Sequence, residues 1–229
     1  MNNSKNLPIR KLRKPAEIAE LDPDLNPYST EIFEHQDIIW FDGVDQAKGF
    51  EDFIKKPLVL DLGCGSGNFL RGYAAQFPER NCIGVELRFK RLVKAAKKYK
   101  KSGLSNVRLI RAMAEELSDW FKPGTLELIH INFPDPWAKK KQKKHRLVQP
   151  LVLDDIHQAL KVGGRFVFKT DHQEYYRTSI EWLRLDQRFI LKNETEDLHN
   201  TDIFNIYTEF EELFKSKGMP VYYVELEKK

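Results

Sequence analysis

Apolar and polar residues alternate along this chain in blocks that predict strands and helices in turn. Leu58-Val59-Leu60-Asp61-Leu62 is a short apolar run ending in glycines, the pattern of a strand buried on both faces of a parallel sheet. A helix is expected over 68–76. Cys82-Ile83-Gly84-Val85-Glu86 reads as a second strand, and 88–101 as an amphipathic helix with Leu92, Ala96 and Tyr99 on one face. Third and fourth strands are expected over 107–110 and 126–133. A long helix over 145–161, closed by Gly163-Gly164, leads to a fifth strand over 165–170. A helix over 175–185 and strand candidates over 189–192 and 221–226 complete the pattern. Such alternation predicts an α/β fold, a doubly wound, mostly parallel sheet with helices on both faces and right-handed crossovers. Ligands then belong at the carboxyl ends of the strands. Residues 1–50 carry prolines, charged clusters and no sustained period, so they read as a basic, partly ordered arm preceding a domain over 51–229.

Composition narrows the class. With 229 residues, 41% of them hydrophobic, the chain can bury one large core and has little room for a second. Mean hydropathy is -0.56, and no apolar run approaches the roughly 20 residues of a membrane-spanning helix. The first residues lack the apolar stretch of a secretory signal, so a soluble, cytoplasmic protein is expected. Cys64 and Cys82 lie in apolar or glycine-rich stretches and read as inert small side chains. The six histidines have neither ligand spacing nor cysteine partners, and no metal is expected. A net charge of +4 says little, but its distribution says more. Every residue over 139–146 except Gln142 and His145 is Lys or Arg, and Arg10, Lys11, Arg13 and Lys14 form a smaller cluster.

Asp61-Leu62-Gly63-Cys64-Gly65-Ser66-Gly67 falls between the first strand and the first helix, where the backbone must turn sharply and admit a ligand. A dinucleotide fingerprint would place a third glycine at position 68, which is Asn here. The acid ahead of the loop would repel a pyrophosphate, yet it suits the cationic sulfonium and ammonium groups of S-adenosylmethionine. Glu86, ending the second strand, can accept both hydroxyls of an adenosine ribose. A plain tight turn and a solvated strand end are the bland alternatives. The acid pair and the D-x-G-x-G-x-G loop resemble the class I methyltransferases, whose fold is Rossmann-like.

Phe133-Pro134-Asp135-Pro136-Trp137 follows the fourth strand and so lies beside the expected methyl group. This motif and the basic run behind it resemble the bacterial tRNA (guanine-N7)-methyltransferases. The similarity continues through Lys169-Thr170-Asp171, Asp197-Leu198-His199-Asn200 and Thr208-Glu209-Phe210-Glu211. The resemblance implies transfer to N7 of a guanine in tRNA, guanine 46 of the variable loop. It implies Asp135 as the active-site acid, which also touches the cofactor, and Lys139, Asp171, Thr208, Glu209, Phe210 and Glu211 as substrate contacts. Lys141, Lys143, Lys144 and Arg146 are implied as RNA contacts. Where the family carries Asp or Asn after the third strand, this chain has Met113, which can pack on adenine while a backbone group reads its amino edge.

Local chemistry competes with some of these roles. Thr208 to Glu211 also forms a capping box, and Asp171 with Glu174 also suits a helix start. The lysines of 139–146 can be a solvated face, as can those of 88–101, although clustered cations beside the turn suit phosphate. Guanine N7 carries a free lone pair and needs no base to deprotonate it, so Asp135 is expected to orient the reactants and stabilise developing charge. Two other functions compete: a methyltransferase acting on protein or a small molecule, and an RNA-binding module that has lost transfer.

Overall fold

Successive residues of each central strand point into opposite layers, and that division builds the molecule. The computed structural model describes residues 38–39, 53, 55–114, 117, 121 and 123–229. Eight strands form one sheet: β1 (Ile38–Ile39), β2 (Leu58–Leu62), β3 (Asn81–Val85), β4 (Val107–Ile110), β5 (Leu126–Asn132), β6 (Leu160–Thr170), β7 (Phe189–Thr195) and β8 (Tyr222–Lys228). Their order is β1-β4-β3-β2-β5-β6-β8-β7. Neighbours from β4 through β6 run parallel, whereas β1, β8 and β7 join antiparallel. The chain winds outward in both directions from β2, so the switch point of the sheet lies between β2 and β5.

Helices α1 (Asn68–Gln76) and α2 (Phe89–Lys101) cover one face. There Phe69, Tyr73, Leu92 and Ala96 pack on Val59, Cys82, Leu128 and Val167. Helices α3 (Pro150–Ala159) and α4 (Gln173–Leu183) cover the other, where Val152, Ile156 and Ile180 pack on Leu60, Ile83, Ile129 and Phe166. A last helix, α5 (Glu209–Ser216), precedes β8. This is the doubly wound α/β architecture that the alternation calls for. Both cysteines are buried and unpaired, and burial pushes the Cys82 thiol up to about 12. Among the described residues no helix is long and apolar enough to cross a membrane, and no cluster of three potential metal ligands occurs. The arm expected over 1–50, with Arg10 to Lys14, lies outside the described residues apart from β1.

Several boundaries differ from expectation. The long helix over 145–161 is instead a 3-10 helix, Lys140–His145, followed by α3, which opens at Pro150 because proline's missing N–H costs nothing in a first turn. Gly163-Gly164 does not close a helix but lies inside β6. Leu126 pairs with Leu160 and Leu128 with Arg165, so residues 161–164 bulge opposite Glu127, with Gly163 at φ +71. The fourth strand stops at Asn132 because Phe133 turns to φ +48.

Candidate active site

The loop after β2 is tied to the neighbouring strand end: the amides of Gly63 and Cys64 both donate to the Val85 carbonyl, at 2.8 and 2.9 Å. Gly67, at φ +76, starts α1, and a Cβ there would meet Ala95 Cβ at 2.7 Å and the Tyr99 hydroxyl closer still. Gly63, at φ +84, leaves bare backbone at the surface. Gly65 is covered beneath the loop. Asp61 is buried, and its Oδ1 accepts from Asn132 Nδ2 at 3.1 Å. Burial pushes its carboxyl up to about 7, against the opposing effects of that hydrogen bond and the Lys169 charge. Glu86 directly follows β3, with Oε1 accepting from the Arg88 amide at 2.7 Å; Oε2 has no hydrogen bond among the described residues. Met113 lies just past β4 and is 39% exposed. Asp61, Gly63, Gly65, Glu86 and Met113 thus meet along the carboxyl ends of β2, β3 and β4. A carboxylate oxygen open to hydroxyls, side-chain-free backbone and a buried acid fit the ribose, methionine and sulfonium groups of S-adenosylmethionine.

The turn after β5 is held in an uncommon shape. Phe133 and Trp137 both adopt left-handed backbone, at φ +48 and +42, a conformation side chains resist unless the surroundings enforce it. The Phe133 amide donates to the Lys169 carbonyl at 2.8 Å, and the Trp137 ring packs 5.5 Å from His145. Asp135 stands exposed between its prolines, with Oδ2 3.5 Å from Arg88 Nη2. Arg88 therefore links the Glu86 strand end to the Asp135 turn. Sequence reasoning missed it, although it lies only two residues beyond the acid assigned to ribose.

The basic segment divides. Lys139, Lys141 and Lys144 are exposed, and Lys143 is half-buried with its Nζ on Glu174. Arg146 corrects its expected place among the RNA contacts: it is 4% exposed, donates to the Pro136 carbonyl at 2.8 Å, pairs with Glu174 and lies over the Tyr175 ring at 4.4 Å. It braces the Asp135 turn from inside. Asp171 is half-buried beyond β6, but the cap expected of it belongs to His172, whose Nδ1 accepts from the Tyr175 amide at 3.2 Å.

Thr208 does cap α5, its Oγ1 accepting from the Glu211 amide at 3.0 Å. The Glu211 side chain does not reach back to complete a capping box. It is fully buried, 2.9 Å from Lys169 Nζ, and also accepts from Asn205. Phe210 is exposed. Glu209 turns to the glycine loop and accepts from Ser66 Oγ at 2.8 Å and Asn68 Nδ2 at 2.9 Å. The segment over 208–211 is thus clasped to the loop of β2, a contact no local pattern announces.

Residues 55–224 match the family model described as "Putative methyltransferase". The tRNA (guanine-N(7)-)-methyltransferase of Bacillus subtilis is 37% identical over 172 residues, 75% of this chain and 80% of that protein. A bifunctional glycosyltransferase/methyltransferase of Fusobacterium nucleatum is 39% identical over 174 residues; the match covers 75% of this chain but 27% of that longer protein. Among solved structures, the 16S rRNA methyltransferase KamB matches with a TM-score of 0.60 at 16% identity, over 82% of this chain and 95% of its own, a likeness of fold.

Proposed function

The chain belongs to the tRNA (guanine-N7)-methyltransferase family; it is an S-adenosylmethionine-dependent methyltransferase, and we infer that the strand ends described above apply that chemistry to N7 of a guanine in tRNA. S-adenosylmethionine, when bound, supplies a methyl group made electrophilic by its sulfonium. Asp61 would face that positive charge, Glu86 Oε2 would accept from the ribose hydroxyls, and Met113 would pack on the adenine. The glycine backbone admits the methionine portion.

Guanine N7 attacks through a lone pair, so no residue must remove a proton from it. The purine gains positive charge as the methyl group moves, and Asp135 orients the ring and stabilises that charge. Asp171, at the end of β6, accepts from the donor edge of the base, with Thr208, Glu209 and Phe210 forming the rim. Glu211 acts from the interior, holding that rim in place through Lys169. Lys139, Lys141, Lys143 and Lys144 take phosphates. A tRNA substrate supports a cytoplasmic enzyme.

The observation that supports this reading is the link from Glu86 through Arg88 to Asp135, which brings the acid proposed for the ribose and the turn proposed for transfer together at one end of the sheet. Labelled S-adenosylmethionine incubated with unmodified tRNA should yield labelled 7-methylguanosine on nucleoside analysis. At saturating cofactor, Asp135→Asn should slow single-turnover methylation on the order of 100-fold, the scale of one lost electrostatic group. Full activity in that variant would leave the turn with a role in shape alone. Lys141→Ala with Lys144→Ala should weaken tRNA binding and lower its salt slope by up to about 2 without affecting cofactor affinity.

A further inference from the structure

Lys169 stands between the turn after β5 and a cavity behind it. On one side its Nζ lies 5.9 Å from the centre of the Phe133 ring, in the turn of the proposed methyl-transfer site. On the other it lines a cavity of about 550 Å³ between α1 and the segment over 202–206, a volume in the range of small-ligand sites. The helix wall is an aromatic stripe. Phe69 and Tyr73, both buried, share one face of α1, and Phe77 continues the row at its C-cap, with ring centres 5.9 and 4.7 Å apart in succession. Phe204 stands at the far wall, 5.7 Å from the Phe77 ring and 58% exposed.

His130 backs the cavity from the interior. It is 8% exposed, its ring 4.6 Å from Phe69, and its Nδ1 and Nε2 are both buried with no hydrogen-bond partner. Burial first, then the Lys169 and Arg165 charges, push its pKa well below the ordinary histidine value, so the ring is neutral. A neutral imidazole offers one donor and one acceptor, and buried polar atoms of this kind are seldom left alone. The rim carries no spare cation: Arg165 pairs with Glu225 at 2.9 Å and Arg80 with Glu127 at 3.1 Å. That balance disfavours a phosphate and suits a flat, uncharged ring bearing its own donors and acceptors.

We infer that this cavity takes an unpaired nucleobase of the RNA, a neighbour of the guanine that is methylated, stacked against Phe77 and Phe204 at its open end. Splayed bases held on aromatic side chains are the usual means of reading unpaired RNA. The inference rests on the RNA reading of the adjacent site.

The test is a double substitution cycle with the full chain and saturating S-adenosylhomocysteine. Phe204→Ala, at an exposed position, is compared with the parent for affinity to tRNA and to tRNAs carrying an abasic nucleotide at each position flanking the methylated guanine. Loss of one stacked base should weaken intact tRNA by about tenfold. The same substitution should then have no effect on one of the abasic tRNAs, and 2-aminopurine at that position should be quenched by the parent and not by Phe204→Ala. Equal losses on every RNA, or no loss on any, overturn the inference. Free guanosine that binds the parent and not Phe204→Ala, without coupling to any abasic position, assigns the cavity to a nucleoside and overturns the RNA-borne reading. Failure of the parent to methylate tRNA would sink the reading of the adjacent site instead, so the two outcomes stay distinct.

Discussion

Asp61 is a single carboxyl whose environment ties cofactor charge to pH. Its folded pKa, about 7, lies above the ordinary value of 3.8, so the neutral form favours the folded chain. That contribution is complete below about pH 4 and is lost as pH rises through 7. The ionised form is the one that attracts a sulfonium. Affinity for S-adenosylmethionine should therefore rise on the order of tenfold between about pH 6 and pH 8, the range one proton can span. S-adenosylhomocysteine, whose sulfur is uncharged, should show a smaller rise, and Asp61→Asn should remove the difference. Titration calorimetry with both ligands decides it; identical profiles would place Asp61 away from the cation. The identity and place of Asp61 were legible in the sequence. Its hydrogen bond from Asn132, 71 residues later, was not, since no local spacing records which strand ends become neighbours.

At the level of elements, α5 is joined to β6 by a charge pair with almost no solvent around it. Lys169 and Glu211 are 2% and 0% exposed at their side chains, and burial lowers the lysine pKa while Glu211 raises it. Removing one partner of such a pair strands the other in the interior. Glu211→Leu should cost about 3–5 kcal/mol, whereas Lys169→Met with Glu211→Leu should cost clearly less, measured by urea unfolding. If Glu211 acts only by holding the rim, the double variant keeps its selectivity for guanine; loss of that selectivity in a folded double variant would return Glu211 to direct base reading. The helix over 68–76 and the strand over 107–110 stand where periodicity puts them, because their signals are local. Gly163-Gly164 misleads for the opposite reason: a glycine pair after an apolar helix has the same local signature as a bulge, and only the register against β5 distinguishes them. Arg146 is a similar case, one cation of a basic run withdrawn by Glu174, 28 residues away.

For the whole molecule, the sheet depends on a strand that arrives late and sits inside. β8 lies between β6 and β7 and pairs with both, Phe168 and Glu194 meeting it at Val224. A proline there removes a ladder donor from a strand with two neighbours, and Val224→Pro should cost about 3 kcal/mol or more, read from the thermal midpoint. An unchanged midpoint would mean that β7 and β8 add little to the rest of the sheet. Synthesis meets the same order as a sequence of waiting periods. The glycine loop leaves the ribosome early, but 143 residues separate Ser66 from the Glu209 that clasps it. β7 emerges after β6 and finds no partner on it, since the place beside β6 belongs to β8. Until β8 follows, a growing chain carries an open β6 edge and an unpaired β7, both templates for strands of other molecules. Crowded translation of this protein is therefore most hazardous in the interval between residues 195 and 222, when nearly all of the fold exists and none of its far edge is closed.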